Sequence, residues 1–207
     1  MDGATLQDRL SRGMGVAARR IGMPYVVSRP CGTAQPRARC NRVIKLYAAF
    51  EPGNTGARAM PGYGGLLWHG IFDSAYTRAG DYLSSCNAIF FVAAQLPLEP
   101  VQCVRTNRVI DILRPANPAD GGYSGMVAET AETVLAEWPA CLQALHAGTR
   151  GAPPDSRFGN WTVLLPALPA APQVADTVID DLGRTFATAA AEETDLGWRL
   201  IVRQIAG

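Results

Sequence analysis

The chain has 207 residues, 48% of them hydrophobic, which is enough for an ordinary core in one domain or two small ones and marks a globular protein. Its formal charge of +1 conceals an asymmetry: residues 1 to 45 hold nine Arg or Lys against Asp2 and Asp8 (9 − 2 = +7), and the remainder holds ten against sixteen Asp or Glu (10 − 16 = −6). The opening MDGATLQDRL lacks the pattern of a secretory signal and no run reaches the ~18 apolar residues of a membrane helix, so no membrane span and synthesis in the cytoplasm are expected.

In chain order, Thr5 and Asp8 have the spacing of a capping box, and Leu6, Leu10, Met14, Ala17 and Ile21 recur at intervals of three and four. This predicts an N-terminal amphipathic helix, ended by Gly22 and Pro24, within an arm of residues 1–24. Arg9, Arg12, Arg19 and Arg20 decorate its other sides, either as a solvated face or as a docking face for something acidic, another copy of the chain included.

Short β-prone runs follow: YVVS (25–28), RVIKLYAAF (42–50), LLWHGIF (66–72), AIFFVAAQ (88–95), VQCVRT (101–106) and RVIDIL (108–113). EPGNTGARAMPGYGG (51–65) reads as a long exposed loop, and PANPADGGYSGM (115–126) as the clearest linker. TVLAEWPACLQALH is either two strands broken at Pro139 or a kinked helix, with strands preferred. After the loop 147–160, four runs from WTVLLPAL to LGWRLIVRQI suggest a β meander with DDLG (180–183) as a hairpin turn. The fold class expected is mainly β: two small β-barrel or β-sandwich units, 25–115 and 127–207, joined by a linker at 116–126 and preceded by the helix.

The halves also share an order of features. Trp68, Asp81 and Phe91 match Trp161, Asp176 and Phe186, and Cys103 falls on Trp198. A duplication explains this, and so does the grammar common to any two β meanders.

Chemistry is sparse. His69 and His146 are the only histidines, so a multi-histidine metal site is excluded and a nucleophile–histidine pair has two choices; a small hydrolase built on one of them, with Cys103 as a candidate thiol, is the enzymatic alternative. Cys31, Cys40, Cys86, Cys103 and Cys141 have no metal-ligand spacing, and their disulfide state is open. The glycines of PGYGG lack the Lys-Ser/Thr of a phosphate loop, Asp176, Asp180 and Asp181 lack the spacing of a calcium loop, and Glu192, Glu193 and Asp195 read as a solvated turn or as the counterpart of the basic segment in a neighbouring subunit. No catalytic, cofactor or metal residue is assigned. Arginines at 9 to 45 also suit phosphate neutralisation, without an aromatic stacking motif beside them, which makes a DNA-contacting assembly factor the other alternative.

The segments RLSRGMGVAARRIGMPYVVSRP, GYGGLLWHGIFDSAYTRAGDYL, IFFVAAQLPLEPVQCVRTNRV, WTVLLPALP and DTVIDDLGRTFATAAAEETDLGWRLIVRQ together resemble a family of proteins of about this length encoded among virion structural genes of tailed bacteriophages and prophages in proteobacteria. The resemblance spans nearly the whole chain and brings no catalytic or ligand residues with it. It implies a non-enzymatic virion protein of the head-to-tail neck (a connector) or of the tail tip or baseplate. Its partners would be other copies of itself and neighbouring phage structural proteins, bound through strand edges and arms.

Overall fold

The computed structural model describes residues 2–53, 66–115, 131–145 and 159–205. Of the loops expected at 51–65 and 147–160, residues 54–65 and 147–158 lie outside them, as do the linker expected at 116–126 and His146. One helix, α1 (Gly3–Ile21), precedes twelve strands that close into two six-stranded antiparallel barrels. The mainly β class with two small barrels is therefore what the chain adopts.

The first unit comprises Met1–Cys31 and Pro36–Arg105. Its strands are β1 (Met23–Ser28), β2 (Arg42–Pro52), β3 (Leu67–Ile71), β4 (Tyr82–Ser84), β5 (Ile89–Ala94) and β6 (Val101–Arg105), in the order β1-β2-β3-β6-β5-β4 around the barrel. The alternation of each strand sends one face inward, where Tyr25, Val27, Leu83, Phe90, Val92 and Cys103 form the core. Gly70 also faces inward. A Cβ there would lie 2.3 Å from Cε1 of Phe72 and 3.1 Å from the Cys103 Sγ, so the absent side chain is what admits the Phe72 ring.

The second unit comprises Gly32–Gln35 and Thr106–Gly207. Its strands are β7 (Arg108–Arg114), β8 (Glu132–Ala144), β9 (Asn160–Leu165), β10 (Thr177–Asp180), β11 (Thr185–Thr194) and β12 (Gly197–Gln204), in the order β7-β8-β9-β12-β11-β10. RVIDIL is thus the first strand of the second barrel, and the expected first unit of 25–115 ends one strand too late. The run is β-prone whichever sheet it joins, and its partners, β8 and β10, come later in the chain. The expected four-strand meander is corrected too, because β9 pairs with β8 and β12 and not with β10. β8 runs through Pro139 as one strand, with a positive φ of 56° at Glu137 marking an irregularity next to Trp138. At Asn107 the side-chain amide extends the ladder: Nδ2 donates to the Leu142 carbonyl at 2.8 Å, and Oδ1 accepts the Leu142 N–H at 2.8 Å.

The barrels repeat one plan strand by strand. In β5–β6, Phe90 faces Arg105 and Val92 faces Cys103, with a bulge between Val92 and Ala94. In β11–β12, Phe186 faces Gln204 and Thr188 faces Val202, with a bulge between Thr188 and Ala190. Trp68 meets Phe90 edge-on at 5.7 Å, and Trp161 meets Phe186 edge-on at 5.9 Å. Phe90, rather than Phe91, is therefore the counterpart of Phe186, and Val202, rather than Trp198, the counterpart of Cys103. The DDLG turn forms as expected. Asp180 Oδ1 accepts the N–H groups of Leu182 and Arg184, and Gly183 takes φ +76°.

Candidate functional site

The same ionic lock sits in each barrel. Arg29, just after β1, donates from Nε to Asp81 Oδ1 at 2.9 Å and from Nη2 to Oδ2 at 2.8 Å. Arg114, at the end of β7, makes the same fork to Asp176 at 3.0 Å for both bonds. Each aspartate also accepts a backbone N–H from three residues before it, Arg78 at 3.0 Å and Gln173 at 2.7 Å. The carboxylates are buried, and each guanidinium is held charged by its aspartate, with its pKa pushed further up. Asp180 is a third buried aspartate, gripped by Arg184 Nε at 2.8 Å. Burial works to raise its pKa, but the hydrogen bonds from the Arg184 side chain and from the Arg184 and Leu182 backbone prevail and hold it below the usual range. Arg184 in turn lies over the rings of Trp161 and Phe186, 4.9 and 5.6 Å from their centroids. Asp176 and Asp180 are committed to arginine, and among the described residues no three His, Cys, Asp or Glu converge as a metal set.

Among the described residues, Cys103 does not meet His69. In β3 and β6, Trp68 faces Cys103 and His69 faces Gln102. Cys103 therefore points into the barrel while His69 points out of it, on opposite faces of one wall. Burial pushes the Cys103 thiol well up and the Cys141 thiol up to about 11, so neither is a thiolate at neutral pH. Cys31, Cys40 and Cys86 are exposed free thiols.

The surface of α1 is the other candidate, and here the structure departs from the sequence pattern. The helix is capped by Asp2, whose Oδ1 accepts the Thr5 N–H at 2.8 Å, instead of by Thr5 and Asp8. It docks through small and polar residues. The Ser11 hydroxyl bonds that of Ser74 at 2.8 Å, the Gln7 Oε1 accepts the Leu98 N–H at 2.6 Å, and Ala18 is fully buried. A Cβ at Gly15 would lie 2.9 Å from the Asp73 Cβ, and one at Gly22 only 2.5 Å from the Ala48 carbonyl oxygen. The apolar stripe is half-buried at Leu10, Met14 and Ala17 and open at its two ends, with Leu6 46% and Ile21 66% exposed. Arg9, Arg12, Arg19 and Arg20 are all exposed, and Arg12, Arg19 and Arg20 form no ion pair among the described residues.

The arginine–aspartate locks, absent from the sequence reading as pairs, had one signal: Asp81 and Asp176 immediately precede equivalent strands, and each barrel has an arginine at or just after the end of its first strand. Compared with protein families, curated proteins and solved structures, the chain matches none. No helix among the described residues is long and apolar enough to cross a membrane.

Proposed function

We propose that the protein is a structural component of a tailed-bacteriophage virion, at the head-to-tail neck or at the tail tip or baseplate, that acts by symmetric assembly and not by catalysis. The observation that carries this reading is the combination of two ion-locked barrels with a helix that docks through its small polar residues and turns its arginines and the two ends of its apolar stripe outward. Ring-forming proteins need that combination: a scaffold that holds its shape and a surface element free to bind a neighbour. The likeness of the segments quoted above to virion structural proteins supplies the setting, with the host cytoplasm as the place of synthesis and the particle as the destination. Mass spectrometry of purified particles tests it. The protein is expected as a stoichiometric component, and its absence from particles whose genome encodes it would overturn the reading.

A further inference from the structure

Three sides of α1 follow from its geometry. At about 100° per residue, Gln7, Ser11, Met14 and Ala18 lie together on the docked side. Leu6, Leu10, Ala17 and Ile21 share a flank, Arg9 and Arg20 lie next to that flank and opposite the docked side, and Arg12 and Arg19 continue the basic surface further round. The flank is half-covered at Leu10 and Ala17 and open at both ends, Leu6 and Ile21. A basic ridge beside an apolar stripe fits a protein surface better than a phosphate backbone, which rewards charge alone.

The chain carries the complement itself. Beyond residue 45 acidic residues outnumber basic ones by six, 16 against 10. At the β11–β12 turn Glu193 and Asp195 are exposed and have no ion-pair partner among the described residues, while the neighbouring Glu192 is held across the strands by Arg199. We propose that α1 of one copy binds the acidic β11–β12 turn of a second copy, the arginines facing Glu193 and Asp195 and the apolar stripe packing beside them. The inference rests on the assembly reading and adds the partner and the two surfaces to it. The contact joins different patches of the two copies, so it is head-to-tail and propagates into a ring when the rotation closes.

Sedimentation velocity over a dilution series of the purified chain tests this. The wild type is expected to self-associate, more weakly as salt rises. Arg19→Glu with Arg20→Glu is expected to weaken association about tenfold or more. Adding Glu193→Arg and Asp195→Arg to that double variant restores it, and circular dichroism checks that each variant keeps its fold. Ile21→Ser, which leaves the charges alone, weakens association as well. A wild type that stays monomeric, or charge-reversed pairs that fail to rescue, would overturn the inference, as would arginine-dependent binding to duplex DNA or phosphatidylserine vesicles without self-association. A chain found in particles but monomeric in solution sinks this inference and leaves the assembly reading standing, whereas absence from particles sinks the reading whatever the sedimentation shows.

Discussion

Thr188 is the one inward-facing residue of β11 whose hydroxyl has no partner: it is 2% exposed and its Oγ1 makes no hydrogen bond. Its counterpart in the first barrel, Val92, fills the same place with a methyl group and is fully buried. A buried hydroxyl that exchanges its water for nothing carries a desolvation cost without a compensating bond. Thr188→Val is therefore expected to stabilise the second barrel by about 1 kcal/mol. The check is a rise in the urea midpoint at unchanged slope. A midpoint that falls would mean the hydroxyl is satisfied and the parallel with Val92 is misleading. Gly70 shows the opposite adjustment, since its place in the second barrel belongs to Val163 and the space it vacates is taken by the Phe72 ring.

At the scale of elements, a glycine inside α1 and the glycine that ends it behave differently. Gly13 is exposed, and a Cβ there would touch nothing within 4 Å, so Gly13→Ala removes backbone freedom from the unfolded chain at no steric cost and is expected to stabilise by about 0.5–1 kcal/mol. Gly22 sits where the chain turns from helix to β1, against the Ala48 backbone, and Gly22→Ala is expected to cost about 1–3 kcal/mol. Thermal unfolding followed by circular dichroism should move the two midpoints in opposite directions, and a neutral Gly22→Ala would contradict the tight docking of the helix. The helix itself was legible in the sequence, because its period and its stop signals are local. Which side docks was not, because the periodicity of Leu6, Leu10, Ala17 and Ile21 says only that a stripe exists, and the docking is made by Ser11, Gly15 and Gly22, whose small size matters only against a particular neighbour. The repeat was legible from Asp81 and Asp176 but one residue out at the phenylalanines. The β10–β11 connection, from Ile179 to Thr185, is one residue longer than β4–β5, from Ser84 to Ile89, and equal sequence intervals cannot register that.

The whole molecule is two closed hydrogen-bond rings, each with its own core and its own buried arginine–aspartate fork, and that repetition has a thermodynamic consequence. Asp81 and Asp176 do the same work in different rings: each ties the end of the barrel's first strand to the start of its fourth and fixes the loop before it through a backbone N–H. Replacing either by Asn leaves a guanidinium without its counter-charge beside a buried amide, at a cost of about 3 kcal/mol. Because the ladder of each barrel closes on itself, the loss belongs to the ring that carries the substitution. Native-state hydrogen exchange is expected to show Asp81→Asn lowering protection at Tyr82–Ser84 and its partners in β1 and β5, with Thr177–Asp180 unchanged. Asp176→Asn should produce the mirror result. If both sets of amides lost protection together in either variant, the two rings would be one cooperative unit and the independence of their locks would be refuted.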